Sequence, residues 1–289
     1  MRFYLSAALV LIAIFTACAS GNISPYTAEP PIARDIGALY GRLDSAVAPQ
    51  SFIAEKTLGE VDYGSYKAPV KLFSIYNTSS FKYRVFLSGG IHGNEPAGAE
   101  TEARFIESLA GGDTRFSNVS FDIIPITNPW GWSHDVRYNQ AGRDINRDFA
   151  SFATQEAKMI SAYLEDKHYD LMIDDHEDPT GKGFYLYQYA MPDQVVARKV
   201  IGAIRGMGYP IEQDVNMVTL KTEDGLIDAP MWGLWYMKAT GQLSFPNYCR
   251  LFKSDRVYTV ETPTLLNYED RVNIHTKVRE MILQDLLSK

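Results

Sequence analysis

Cysteine is almost missing from this chain: 289 residues carry two, Cys18 and Cys249. Cys18 lies in a segment expected to be processed, so no intramolecular disulfide is available and Cys249 reads as a small buried apolar residue. Stability must come from a packed core, which a chain of this length can supply. Basic charge is also short. The chain has 28 Lys and Arg against 35 Asp and Glu, a formal net charge of −7. That balance lacks the footprint of a nucleic-acid binder. Internal repeats and low-complexity tracts are absent, and no Pro/Gly/Ser-rich linker divides the chain after residue 31. With 46% hydrophobic and 22% charged residues, the composition is that of a globular protein.

Long apolar runs are scarce too. Met1-Arg2 precedes the stretch Phe3 to Phe15, which is too short for a comfortable membrane span and has the form of a secretory signal. It ends in Phe15-Thr-Ala-Cys18, which resembles the lipobox of bacterial lipoproteins, with Phe15 where an aliphatic residue usually stands. The resemblance makes residues 1–18 a lipoprotein-type signal and Cys18 the lipidated first residue. Ordinary cleavage after Ala17-Cys-Ala19 is the competing reading, and both export the chain to the bacterial cell envelope or periplasm. Residues 19–31, with three prolines, read as a tether.

The remainder, 32–289, alternates helical and strand patterns. Helices are expected over 32–47, 97–109, 154–164, 194–207 and 268–287. Strands are expected over 61–66, 70–76, 83–87, 119–126, 169–174, 184–189 and 256–261. Residues 128–152 form a long polar loop, and 211–256 cannot be placed. The order argues for a single α/β domain with a central mixed, largely parallel sheet flanked by helices.

The chemistry concentrates at strand ends. Leu87-Ser-Gly-Gly-Ile-His-Gly-Asn-Glu-Pro96 follows an apolar strand, and its glycines let His92 and Glu95 converge in a sharp turn. A second apolar strand leads into Leu171-Met-Ile-Asp-Asp-His-Glu-Asp178 and supplies His176. Two His and one Glu form a three-ligand zinc pattern with a position left open. Asp174, Asp175, Glu177 and Asp178 are candidates to orient an imidazole, most of them reading as solvent-facing. Glu261, ending Val257-Tyr-Thr-Val260, is a candidate general base.

These residues resemble the zinc carboxypeptidases of the carboxypeptidase A type, together with the succinylglutamate desuccinylase and aspartoacylase relatives. Gly90-Ile-His-Gly-Asn-Glu95 is similar to the family's His-x-x-Glu turn, and Asn128-Pro-Trp-Gly131 to its Asn-Pro-x-Gly turn. Arg137-Tyr-Asn and Asp144-Ile-Asn-Arg-Asp-Phe149 match its Arg-x-Asn and Asp-Leu-Asn-Arg-x-Phe block, His176 its third ligand and Glu261 its base. The resemblance implies one Zn²⁺ held by His92, Glu95 and His176, and a zinc-activated water with Glu261 as base. It further implies oxyanion stabilisation by Arg137 and a clamp of Asn146 and Arg147 on the substrate's terminal carboxylate. The expected activity is hydrolysis of a C-terminal peptide or amide bond. N-acyl amino acid deacylation is the alternative, and an inactive zinc-binding envelope lipoprotein the reading from another class. The expected partners are a peptide or acyl-amino-acid substrate and a membrane reached through Cys18. Arg143 stands where the family often has a small apolar residue and is a competing anion contact. Tyr236, Tyr248 and Tyr209 are candidates for the family's substrate-contacting tyrosine. His134, His168 and His275 sit outside any motif, and core packing is the expectation for Trp130, Trp132, Trp232 and Trp235.

Overall fold

The computed structural model describes residues 21–76, 80–213, 216–217 and 220–289. The expected signal and Cys18 fall outside the described residues. An eight-stranded sheet organises the rest: β1 (Ile53–Asp62), β2 (Lys67–Tyr76), β3 (Tyr83–Gly89), β4 (Val119–Ile124), β5 (Leu171–Asp178), β6 (Tyr185–Tyr189), β7 (Leu226–Ala229) and β8 (Val257–Pro263). Their spatial order is 1-2-4-3-5-8-6-7. Neighbours from β4 through β8 are parallel, as are β6 and β7; β1–β2, β2–β4 and β8–β6 are antiparallel. The expected mixed α/β sheet is therefore present, extended by a hairpin whose first strand lies earlier in the chain than the periodicity suggested.

In chain order the helices are α1 (Ile36–Val47), α2 (Pro96–Ala110), α3 (Pro129–His134), α4 (Gln155–Leu164), α5 (Val195–Gly206), α6 (Met231–Ala239), α7 (Phe245–Phe252) and α8 (Tyr268–Leu287). Helices α1, α2, α5 and α8 cover one sheet face through an apolar core that includes Leu43, Ile106, Ile201 and Ile282. Helices α4 and α7 and the loop at 145–149 cover the other, through Ile160, Phe245, Ile145 and Phe149. Helix starts follow local chemistry. The Asp35, Thr154 and Asn267 side chains accept from backbone N–H groups of the first turns of α1, α4 and α8, and Glu269 and Asp270 suit the positive end of α8. The segment 211–256 holds β7, α6 and α7. Among the described residues no helix is long and apolar enough to cross a membrane.

The topology positions the site. From β3 the chain moves to β4 on one side and then to β5 on the other. Connections after β3 and β5 thus diverge, leaving a crevice beyond their carboxyl ends, where α/β sheets bind ligands. The stretch expected to be a tether is tied to this end of the molecule. Ile23 N–H donates to Gly142 O at 2.9 Å and Tyr26 N–H to Gln140 O at 3.0 Å, and the Tyr26 ring lies 4.9 Å from Trp130. Arg34 donates to the carbonyls of Gly93 and Trp132 and pairs with Asp135.

Candidate active site

The turn after β3 bends at Gly90, whose φ of +61° is left-handed, and then passes tightly under α3. A Cβ on Gly93 would stand 1.9 Å from the carbonyl carbon of Gly131, so only glycine fits. This contact packs the His-x-x-Glu turn on the Asn128-Pro-Trp-Gly131 turn, where the Asn128 side chain caps α3 by accepting from Gly131 N–H at 2.9 Å. His92 and Glu95 are thereby delivered from a rigid corner, with Glu95 immediately before α2.

His176 lies within β5 and not beyond it as expected; the strand continues to Asp178. Such an acidic run can be a buried strand because its period of two sends alternate side chains to opposite faces. Asp174, His176 and Asp178 face the site. Asp175 and Glu177 face α2 and α8, where Arg279 bonds Asp175 at 2.9 Å and Glu102 at 2.6 Å, and Arg271 pairs with Glu177. Asp174, Asp175 and Glu177 are each at most 2% exposed, which corrects the solvent-facing expectation. The reason is that each has a partner supplied by another element.

Glu95 joins the two histidines. Its Oε1 lies 2.7 Å from His92 Nδ1 and its Oε2 lies 2.8 Å from His176 Nδ1, while Glu177 N–H donates to Oε2 at 3.1 Å. One ligand atom from each of His92, Glu95 and His176 lies within 4.8 Å of the others, all buried. The opposite ring nitrogens meet carboxylates: His92 Nε2 is 3.2 Å from Asp144 Oδ1, and His176 Nε2 is 2.9 Å from Asp174 Oδ2. Facing Nδ1 inward with a carboxylate on Nε2 is how imidazoles are oriented toward a metal ion. Burial would raise the Glu95 carboxyl, but the positive potential of His92 and His176 holds it at about 2. Burial would also lower His176, yet Asp174 and Glu95 hold it well above its usual value. Buried carboxylates converging on two imidazoles call for positive charge at this point, and the donor set fits a divalent ion.

Glu261 is the register partner of His176 on the adjacent parallel strand β8, so both side chains leave the sheet on the same face. Withdrawal from solvent pushes Glu261 up to about 8; Glu95 and Asp178 add to the rise, and His176 and Arg137 oppose it. Arg137 donates from Nη2 to Asp144 Oδ2 at 3.0 Å and from Nη1 toward Glu95 Oε1 at 3.4 Å. Asn146 directs Nδ2 toward His176 and accepts from Phe245 N–H at 2.9 Å. Arg147 donates from Nη1 to the Asn146 carbonyl at 2.7 Å, and among the described residues no carboxylate pairs with it. All seven expected residues of the domain, His92, Glu95, Arg137, Asn146, Arg147, His176 and Glu261, line one cleft of about 600 Å³.

The cleft adds residues the sequence did not single out. Tyr185, Tyr187 and Tyr189 from β6 form one wall with Thr259; their alternation was legible only as a strand. Tyr236 lines the cleft, whereas Tyr248 packs on Phe149 and Tyr209 bonds Asp270 elsewhere. Arg143 is exposed outside the cleft. His134 is buried against Trp130, His168 pairs with Asp255 on the surface, and His275 lies beside Asp175 and Thr262. Trp130, Trp132 and Cys249 are buried as expected. Trp232 and Trp235 are not: they are 59% and 48% exposed, because only Leu234 of α6 turns into the core.

The fold and the buried His-Glu-His trio resemble those of carboxypeptidase-like proteins. Residues 82–218 match the model of the succinylglutamate desuccinylase/aspartoacylase catalytic domain. A stretch of 115 residues, 38% of this chain, is 32% identical to carboxypeptidase 2 of Trichophyton rubrum, of which it covers 21%. The chain spans about a fifth of the length of such curated relatives. Among solved structures, a protein of Shewanella amazonensis SB2B assigned as a metallopeptidase superposes with a TM-score of 0.72 at 20% identity, over 87% of this chain and 93% of that one. A metallo-carboxypeptidase from Burkholderia cenocepacia gives 0.62 at 18% identity, over 90% and 70%. The chain is thus similar in sequence, over residues 82–218, to the succinylglutamate desuccinylase/aspartoacylase catalytic domain, and in fold to structures of metallo-carboxypeptidases.

Proposed function

We propose that this protein is a zinc-dependent hydrolase of the amide bond next to a free terminal carboxylate, acting in the bacterial cell envelope. The observation that carries the reading is the convergence of the buried His92–Glu95–His176 trio with Glu261, Arg137 and an unspent Arg147 in one cleft. His92, Glu95 and His176 would hold Zn²⁺, which when bound supplies Lewis-acid polarisation of the scissile carbonyl and of water. Glu261, facing the same point, takes a proton from the attacking water as its oxygen bonds to the carbonyl carbon. It returns that proton to the amine nitrogen as the C–N bond breaks. Arg137, held in place by Asp144, presents a fixed positive donor to the oxygen that gains charge. Arg147 and the Asn146 amide bind the terminal carboxylate; a guanidinium matches that planar anion with paired hydrogen bonds. The tyrosine wall from β6 accepts the neighbouring side chain.

Peptides are the substrates this reading favours, since an envelope enzyme meets them more readily than cytosolic acyl amino acids. The match of residues 82–218 to a deacylase catalytic domain supports N-acyl amino acids as the second reading. Metal analysis of the purified protein should return about one zinc per chain, and His92→Ala should lose it. Glu261→Gln should keep the zinc while turnover of blocked dipeptides falls by about 10²–10⁴-fold. A folded wild-type chain that takes up no zinc would overturn the mechanism. Turnover of acyl amino acids alone would decide for the deacylase.

A further inference from the structure

The helix α6, Met231-Trp-Gly-Leu-Trp-Tyr-Met-Lys-Ala239, is apolar around most of its circumference yet buries only Leu234. Met231, Trp232 and Trp235 are exposed, and Phe252 at the end of α7 joins them. Trp235 meets Phe252 at 5.8 Å between ring centroids, and the Lys238 ammonium lies over both rings at 5.1 and 4.9 Å. Trp232 contributes to the rim of the cleft, but Met231, Trp235 and Phe252 do not line it. Substrate binding in the cleft therefore does not account for the patch. A contiguous exposed group of this kind is a contact surface.

Its charge is as unusual as its apolarity. In a chain with a net charge of −7, residues 229–254 contain Lys238, Arg250 and Lys253 and no Asp or Glu. Arg250 donates to the carbonyls of Tyr189 and Ala190, and Lys253 to that of Glu165. Lys238 stays exposed with no carboxylate partner among the described residues. Exposed tryptophans beside a lysine whose ammonium can reach outward are the side chains that settle at a lipid headgroup layer.

The place where the described chain begins agrees. Gly21 and Asn22 line a small cavity with Gly241 and Gln242, in the turn directly after α6. The described chain therefore begins at Gly21 on this side of the molecule, three residues after Cys18 in the sequence.

We infer that the exposed face of α6, with Phe252, is a membrane-contact surface that seats on an anionic lipid interface and holds the cleft mouth beside it. The inference stands apart from the hydrolase reading, because its readout is lipid contact and not turnover. The test uses the full chain with vesicles of phosphatidylethanolamine and phosphatidylglycerol carrying brominated acyl chains. Trp130 and Trp132 are buried, so quenching of tryptophan emission reports Trp232 and Trp235. The expected result is a blue shift with roughly half of the emission quenched, and about fivefold weaker apparent binding of this face in Lys238→Gln. A chain that floats with the vesicles while its tryptophans stay unquenched would show the N-terminal segment acting alone, and would overturn the inference. So would quenching that ignores Lys238→Gln. Burial of the same tryptophans without lipid, on raising protein concentration or on adding a blocked tripeptide, would assign the surface to a second copy or to peptide, and would equally overturn it.

Discussion

The two imidazoles of the trio are each gripped at both nitrogens, and the outer grip deserves as much weight as the inner one. Asp144 accepts from Arg137 and from Asn146 N–H while facing His92 Nε2. Burial alone would raise its pKa, but His92, Arg137 and Arg147 hold it far below the usual carboxylate range. It therefore orients His92 and Arg137 together. Asp144→Asn should keep the fold but lose metal about 10–100-fold more readily, measured as zinc retention in a chelator titration; retention equal to wild type would reduce Asp144 to a loop contact. At this scale the sequence was legible where short motifs marked residues that meet in the cleft, as with His92, Glu95 and Glu261. It was silent on the Asp144–His92 and Asp174–His176 pairs. Distance along the chain does not say which of many acids will meet an imidazole.

Elements were legible where periodicity matched burial, and misread where partners replaced hydrophobicity. Strand β5 continues through Asp174 to Asp178 because Ser88, Arg279, Arg271 and Ala97 N–H satisfy its acids from two sides. No pattern of apolar residues could have announced that. Helix α4 shows a related case. Glu156 in its first turn is buried, accepts from Tyr63 Oη at 2.7 Å and from Asn139 Nδ2 at 3.3 Å, and so ties the helix to a β-turn and to the site loop. Burial raises its pKa above the usual 4.5 despite those two bonds. A carboxyl with a raised folded pKa stabilises below its ordinary value, and that contribution is lost as pH rises. Glu156→Gln should therefore gain melting temperature relative to wild type as pH climbs from about 4.5 toward 8. Thermal melts across that range check it, and parallel curves would show that Glu156 does not titrate as buried.

The whole molecule is a three-layer sheet protein whose site lies where β3 and β5 send the chain in opposite directions. Its proposed envelope location is a property of the entire chain, resting on the leader and Cys18. Labelled palmitate should enter the wild-type protein in a bacterial host and not Cys18→Ala; a labelled variant, or an unlabelled wild type, would leave ordinary cleavage as the reading. Composition and motifs by themselves determined an α/β domain and the residue types that meet in the cleft, because those are set by residue identity and by short spacings along a strand and a turn. Only the tertiary structure decided that β5 is buried from Leu171 to Glu177, that Tyr236 and the β6 tyrosines wall the cleft, and that Trp232 and Trp235 face outward. Each of those depends on what another part of the chain, distant in sequence, places against the residue, and burial is a property of that meeting alone.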